Sequence, residues 1–360
     1  MGVDRTREEP AVNATQIHEL APQLETVGEI HGLEVPESLS KDARKRVIFG
    51  ADVYFREGWA DAQRILGDRA PEVLSRHGLV LLKPDAVARR VLDPAIDWFE
   101  TREAAIVVAE QVSVSTHAMR AMWQYQMNAA SPDRLELADR ALVTDAALVI
   151  VARLPESPVP ASVRFSSWKG PADPRRRQPG ELRHALAGGN FLLNYVHAAD
   201  EPADVLRELT ILFPGRAERE AVLRALAAAP EPGQAGRARR HARALEERIE
   251  PHDLELSTAL AYLRAGVPDG PSAAAFLSLL DAVEAGETRD WRALWRAADD
   301  AGVPSSRWDR AVVGTHLAEH TTPGVRPILS SVPAELWEQA AAEARSTGPD
   351  TLHPVREATA

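Results

Sequence analysis

Residues 78–87 read GLVLLKPDAV, and this stretch decides how the middle of the chain folds. It begins with a short apolar run, Gly78–Leu82, of the length and character of a buried strand. The Lys83-Pro84-Asp85 that follows is typical of a turn. We therefore predict a strand that ends at Leu82, a turn, and a helix over Val87–Phe99.

The pattern continues downstream with alternating strands and helices. Further strands are predicted at Ala105–Val114, Ala147–Leu154 and Asn190–His197, and further helices at Thr116–Asn128 and Ala203–Phe213. A loop rich in proline, arginine and glycine separates the last two strands at Gly170–Gly180. The order βαββαβ predicts an α+β fold with a ferredoxin-like, split-βαβ sheet that carries its helices on one face.

The flanking segments differ from this region in composition. Residues 1–36 are polar and predict a flexible N-terminal arm, whereas 37–77 have helical periodicity and predict a helical extension. After the α+β domain at 78–213, the sequence shows no convincing strand. Residues 214–347 predict an all-α C-terminal domain, with Gly266, Gly286 and Gly302 at helix ends, and 348–360 predict a frayed tail.

Composition limits the class of protein. The 360 residues carry a net charge of -11, so the chain lacks a global positive field and nucleic-acid binding is not expected. There is no apolar run of membrane-spanning length, and no signal-peptide core near the start. Because cysteine is absent, disulfides, thiolate metal sites and cysteine nucleophiles are excluded. This absence suits the cytoplasm, and the Ala/Arg/Pro bias suits a high-GC bacterium.

Residues suited to phosphate chemistry lie in the middle region. Lys83 stands in the turn after the first strand, where a point charge can meet a phosphate; only four lysines occur in the chain, so this one is informative. Arg183 can hold phosphate oxygens with two parallel hydrogen bonds. Asn194 and His197 lie three residues apart on one predicted strand and would face opposite sides if it were regular. A bulge or twist is needed to bring both into one pocket.

In order and spacing, the Lys83-Pro84-Asp85-Ala86 turn, the Gly170–Pro174 loop and Asn194-x-x-His197 resemble the nucleoside diphosphate kinase family. The resemblance covers only about Gly78 to Phe213. It implies that His197 attacks the terminal phosphate of a nucleoside triphosphate, becomes phosphohistidine, and passes the phosphate to a second nucleotide in ping-pong fashion. Glu208 matches the family's carboxylate that holds the other imidazole nitrogen and fixes the tautomer.

The same resemblance implies the ligands of the site. Lys83, Arg183 and Asn194 would bind the nucleotide or its phosphates. Mg²⁺ would bridge the phosphates rather than sit in a protein cage, so no protein metal site is expected. Nucleotides are the expected partners. The C-terminal helical domain could also bind a second copy of the chain or another protein.

At several positions where the family has residues that bind phosphate, this sequence has a different residue. Ala172 stands where the family has a threonine that donates to phosphate, and Ser166 stands where it has a phosphate-binding arginine. Arg164, two residues earlier, would replace that arginine if its helix is shifted. The Gly-Ser after the family's histidine is replaced by Ala198-Ala199.

The positions where the family holds the nucleobase differ in this sequence as well. The family's tyrosine aligns with Trp123 or, with a slip, with Tyr125, and nothing in Asn128–Leu137 matches the family's base-holding segment. Three functions therefore stay open. The first is a phosphotransferase that uses His197, the second is a nucleotide-binding regulatory or interaction module with weak or lost catalysis, and the third is a kinase that tailors an unusual nucleoside.

One unrelated motif occurs near the C-terminus. His316-Leu317-Ala318-Glu319-His320 fits the H-x-x-E-H pattern of inverted zinc peptidases. Two histidines at i and i+4 on a helix can bind zinc, with Glu338 or Glu343 as a third ligand. A match of five residues arises easily by chance, and a polar helix face that ends before Pro323 explains the same residues. We therefore do not expect a zinc site here.

Overall fold

Four antiparallel strands form the sheet at the centre of the computed structural model, which describes residues 33–346. They are β1 (His77–Leu82), β2 (Ala105–Val114), β3 (Thr144–Arg153) and β4 (Val196–Ala198). Their order across the sheet is β2-β3-β1-β4, with every neighbouring pair antiparallel. This is the ferredoxin-like arrangement, so the predicted fold class is confirmed. All six residues of β1 are buried, as its apolar sequence predicts.

Helices surround this sheet and make up most of the remaining structure. Numbered along the chain, they are α1 (Ala43–Ala51), α2 (Val53–Leu66), α3 (Ala70–Ser75), α4 (Pro84–Arg89), α5 (Leu92–Glu100), α6 (Thr116–Met122), α7 (Gln124–Met127), α8 (Pro132–Leu142), α9 (Ala161–Lys169), α10 (Leu182–Ala185), α11 (Pro202–Leu212), α12 (Arg216–Ala227), α13 (Gln234–Arg248), α14 (Leu256–Ala265), α15 (Ala273–Glu284), α16 (Trp291–Ala301), α17 (Arg307–Leu317) and α18 (Ala334–Ser346). None of those in residues 33–346 is long and apolar enough to cross a membrane.

The fourth strand is shorter than predicted. The expectation of a strand over Asn190–His197 is wrong, because pairing with β1 begins only at Val196. The Asn190 side chain accepts hydrogen bonds from the backbone N–H groups of Leu192 and Leu193, which folds this segment into a local turn. Tyr195 then has a φ of 67°, a left-handed conformation that no regular strand contains.

The N-terminal helices pack directly on the α+β region. Helix α2 lies against α11, where Gly58 allows a close approach: a Cβ added there would lie 2.4 Å from Thr210 Oγ1. Asp52 caps α2 by accepting from the Phe55 N–H at 2.9 Å, and its other oxygen accepts from Arg207 Nε at 2.9 Å. Because this ion pair is buried, removing either partner would leave an uncompensated charge.

The C-terminal helices cover the opposite edge and then return to the centre. Helix α13 packs on edge strand β2, and α17 packs on α8. After α17 the chain runs back along α7 and the α7–α8 connection, and Leu329 N–H donates to Tyr125 O of α7 at 3.1 Å. Trp337 of α18 donates its indole N–H to Glu201 at 3.0 Å. The helical character predicted for this part is confirmed, whereas the predicted domain boundaries stay predictions.

Candidate functional site

His197 lies on β4 with both imidazole nitrogens hydrogen-bonded. Its Nε2 is 2.9 Å from Glu208 Oε1 of α11, and Trp123 Nε1 donates to its Nδ1 at 3.2 Å. An ionised carboxylate only accepts and an indole N–H only donates. The two neighbours therefore select the same neutral tautomer, with the proton on Nε2 and the lone pair on Nδ1.

Two buried cations, Lys83 and Arg183, line the same cavity as this histidine. Lys83 Nζ donates to Leu192 O at 2.9 Å and lies 3.5 Å from Asp85 Oδ2. Arg183 donates to Gly170 O at 2.6 Å, and it also donates to the carbonyl oxygens of Asn194 and Val196. Burial lowers the pKa of Lys83 to about 8 and that of Arg183 to about 10, because removal from water disfavours the charged form of each side chain.

Asn194 lines the same cavity as His197, which it could not do if both residues lay on one regular strand. It lies just before β4, and the left-handed Tyr195 between it and Val196 turns the chain. Its Oδ1 accepts from Arg183 at 3.2 Å, and its Nδ2 donates to Phe191 O at 2.7 Å. The irregularity that the sequence spacing required is thus present.

Arg164 does not take part in the site. Its Nη1 donates to Pro155 O at 3.2 Å, and its guanidinium lies 4.9 Å from the centroid of the Trp168 ring. The expectation that a shifted α9 would bring it into the pocket is wrong. Three other residues of α9, Ser166, Ser167 and Lys169, line the cavity instead because the helix turns that face toward His197.

Two cavities meet at His197. The larger, of about 510 Å³, has walls from three parts of the chain: Phe49 of the N-terminal helices, Trp123 and Lys169 of the α+β region, and Leu329, Ser331, Val332 and Pro333 near the C-terminus. The smaller, of about 150 Å³, is lined by Lys83, Arg134, Arg183, Phe191 and Asn194 among others. His197, Trp123, Arg134, Ala172 and Arg183 line both.

Acidic residues line the larger cavity as well. Asp200 accepts from Ser166 Oγ at 2.5 Å and from Lys169 Nζ at 3.4 Å. Its burial opposes ionisation, but the charges of Lys169 and Lys45 outweigh this and hold its pKa well below its usual range. Asp204, by contrast, has its pKa raised to about 6, chiefly by burial, although Lys45 Nζ lies 2.7 Å away.

Sequence reasoning missed several of these residues. Lys169 carried an available signal, because it is one of only four lysines in the chain. Arg134 and Arg207 are two arginines in an arginine-rich sequence and carry no comparable signal. The segment Leu329–Pro333 reaches the cavity from well over 100 residues away in sequence, and no local pattern predicts such a contact.

The H-x-x-E-H motif does not form a zinc-binding helix face. Helix α17 ends at Leu317, so Glu319 and His320 lie beyond it. The His320 ring stacks on Phe191, with 4.8 Å between ring centroids. Within residues 33–346 no group of three or more His, Asp or Glu side chains is arranged to hold a metal ion.

Fold and site together define a ferredoxin-like α+β protein with a histidine-centred cavity and buried cations. The family model for nucleoside diphosphate kinase matches residues 76–217. The nucleoside diphosphate kinase of Mycolicibacterium gilvum is 32% identical over 143 residues, which is 39% of this chain and 99% of that protein. That of Thermococcus kodakarensis is 28% identical over 137 residues, 38% of this chain and 75% of that protein.

A solved nucleoside diphosphate kinase from Encephalitozoon cuniculi matches with a TM-score of 0.34 and 18% identity, covering 38% of this chain and 87% of that one. On the sequence matches, the chain belongs to the nucleoside diphosphate kinase family through its central region. The predicted resemblance is confirmed, and it is confined to about 40% of the chain.

Proposed function

We propose that the protein transfers the terminal phosphate of a nucleoside triphosphate through a phosphohistidine at His197 to a nucleotide or a related acceptor. The observation that carries this proposal is the pair of hydrogen bonds at the imidazole, Nε2 to Glu208 and Nδ1 from Trp123. They leave Nδ1 as a lone-pair nitrogen beside two cavities. Family membership supports the reaction class.

In the first step, Nδ1 of His197 attacks the γ-phosphorus, and the bond from phosphorus to the bridging oxygen of the diphosphate breaks. Trp123 must first release Nδ1, because its N–H occupies the lone pair that attacks. Glu208 keeps the Nε2 proton in place and balances the positive charge that develops on the ring. In the second step the acceptor takes the phosphoryl group, and the lone pair returns to Nδ1.

The buried cations are suited to the phosphates. Lys83 and Arg183 have pKa values lowered by burial, and burial also lowers the pKa of Arg134. A phosphate group in the smaller cavity would supply the negative charge that this set lacks. Placing fixed positive charge where the transferring group develops negative charge is the main way proteins accelerate phosphoryl transfer.

A magnesium ion fits this site as a partner of the nucleotide. Mg²⁺ prefers one or two carboxylates together with phosphate oxygens and water, and it supplies charge neutralisation to the phosphates. Asp204, which lines the larger cavity, is the carboxylate that would hold it there.

The test is to incubate the protein with γ-labelled ATP and magnesium, remove free nucleotide, and ask for label that acid releases and base does not. Added unlabelled nucleoside diphosphate should then remove the label as labelled triphosphate. Label that stays on the protein when each common diphosphate is offered would overturn transfer to ordinary nucleotides and would favour a specialised acceptor.

One observation favours a second candidate, a nucleotide-binding module without catalysis. Arg183 donates to three backbone carbonyls, so its hydrogen bonds already serve the protein structure. The C-terminal segment also closes one side of the cavity. This candidate predicts ATP binding at a measurable affinity with no acid-labile label on His197.

A further inference from the structure

Ser331 shares the larger cavity with His197, although the two residues lie in distant parts of the chain. Its Oγ donates to Asp200 Oδ2 at 2.9 Å, and Asp200 follows His197 by only three residues. Three residues of extended chain span at most about 11 Å. His197 and Asp200 therefore lie on one short segment, and the side chains of both line the larger cavity together with Ser331.

From this arrangement we propose that Ser331 is an internal phosphoryl acceptor, modified by transfer from phosphohistidine 197. The inference rests on the proposed function, because it needs the phosphohistidine. Ser331 Oγ attacks the phosphorus, the P–N bond to Nδ1 breaks, and the electron pair of that bond returns to Nδ1. The hydroxyl proton passes to Asp200 and then to solvent.

The surroundings of Ser331 suit an acceptor hydroxyl. Its proton already points at a carboxylate, which is how an aspartate takes the substrate proton in phosphoryl transfer to alcohols. Lys169 Nζ lies 3.4 Å from the other oxygen of Asp200 and 3.1 Å from Ala198 O, and it lines the same cavity. Its charge is placed to neutralise a phosphoryl group between His197 and Ser331.

The segment that carries this hydroxyl is anchored on both sides of Ser331. Before it, Leu329 N–H donates to Tyr125 O at 3.1 Å, and after it Trp337 donates to Glu201 at 3.0 Å. Anchors on both sides raise the effective concentration of the hydroxyl above that of a free acceptor. A ligand that enters from solution competes with a hydroxyl that is always present.

The experiment separates the two kinds of label by their chemistry. Full-length protein is incubated with γ-labelled ATP and magnesium, and samples are split over time into acid-labile label, from phosphohistidine, and acid-stable label, from phosphoserine. We expect acid-labile label first, then acid-stable label that mass spectrometry locates on Ser331. The rate of the second phase should not change on dilution of the protein, because transfer is intramolecular.

Four variants test the route. Ser331→Ala should keep the acid-labile label and lose the acid-stable one, whereas Ser330→Ala, a hydroxyl one residue away, should keep both. Asp200→Asn should slow the second phase roughly 100-fold. His197→Ala should lose both labels.

The failures are distinguishable. Wild-type protein with no label at all would overturn the proposed function, and this inference with it. A persistent acid-labile label without phosphoserine 331 would overturn the inference alone. Phosphoserine 331 in His197→Ala, or a second phase that slows on dilution, would overturn the route from His197.

Discussion

The two cavities that meet at His197 have walls from two different parts of the chain. The histidine side (Lys83, Arg183, Asn194, His197 and Glu208) comes from the region that matches the nucleoside diphosphate kinase family. The appended side (Phe49, Leu329, Ser331, Val332 and Pro333) comes from outside residues 76–217. The histidine side contains hydrogen-bonded pairs, Arg183 with Asn194 and His197 with Glu208, whereas most residues of the appended side are apolar.

This difference assigns different tasks to the two sides. A hydrogen-bonded network fixes the position and tautomer of a reacting group, which is what a nucleophile needs. An apolar wall excludes water and shapes the space left for a ligand. We therefore expect changes on the histidine side to act on phosphoryl transfer, and changes on the appended side to act on stability and on the choice of acceptor.

The strongest test of the histidine side is His197→Ala. It removes the nucleophile, so acid-labile labelling from ATP should fall to background. The fold should persist, because the histidine is one partly buried residue in a short strand at the edge of the sheet. Labelling is measured after rapid gel filtration and the fold by circular dichroism melting. His184→Ala, at an exposed position, is the control, and equal label in wild type and His197→Ala would remove His197 from the mechanism.

The matching test of the appended side is Leu329→Ala. Leu329 is buried against the cavity, so truncation should lower the free energy of unfolding by about 2–5 kcal/mol. Urea denaturation measures this effect. Leu336→Ala, which truncates an exposed leucine of the neighbouring helix, should cost less than about 0.5 kcal/mol. If the two variants unfold alike, Leu329 does not pack as described and the appended side is not a wall.

A smaller effect is expected from Lys83→Met, which keeps the length of the side chain and removes its charge. A charge-assisted hydrogen bond to phosphate is worth roughly 1.5–3 kcal/mol, so ATP affinity or labelling rate should fall about 10- to 100-fold. Arg216→Ala, which removes an exposed arginine paired with Glu220, should change little. Equal losses in both variants would indicate a general charge effect rather than a contact at the cavity.

The lowered pKa of Lys83 gives a pH test with a definite sign. Because burial sets this pKa at about 8, the side chain is charged below that pH and loses its proton above it. A bound phosphate favours the charged form, so ATP affinity should fall about tenfold from about pH 7 to about pH 9. Calorimetric titration measures the fall, and Lys83→Met should flatten it. An unchanged slope in that variant would assign the effect to another group.

The sequence was sufficient for the parts of the molecule that depend on local pattern. The apolar run before Lys83 predicts β1, and the family resemblance carried by Asn194, His197 and Glu208 implies the contact at the imidazole, where Glu208 lies 2.9 Å from Nε2. It failed where tertiary contacts override local preference. Asn190 folds its segment into a turn although the residues after it are apolar, and Arg164 stacks on Trp168 because α9 presents a different face.

The contacts of the appended side could not be predicted from the sequence, for a different reason. Leu329 meets Tyr125 through a backbone hydrogen bond, and backbone groups carry no residue-specific signal. The contact also joins positions about 200 residues apart, so no periodicity or spacing links them. A single sequence can predict a motif that is compact in the chain, but it cannot predict which distant segment will cover that motif.

The smallest effect is expected at Ala172, a residue of the histidine side's region that lines both cavities. The family's threonine at this place donates a hydroxyl to phosphate, and a missing neutral donor costs roughly 0.5–1.5 kcal/mol. Ala172→Thr should therefore raise transfer from ATP to common nucleoside diphosphates severalfold, up to about tenfold, if the site is a weakened form of the ordinary one. The half-buried loop position leaves room for the added atoms, and the Ala172 carbonyl that accepts from Arg177 at 3.0 Å is unaffected.

Ala172→Val is the matched control, since it adds the same bulk without the hydroxyl, and a coupled assay at saturating magnesium compares all three proteins. A gain in both variants would mean that bulk, not a hydrogen bond, was missing. A clear loss in both would mean that the junction of the two cavities has been rebuilt around alanine, which would end the weakened-kinase hypothesis and favour an acceptor that needs the space.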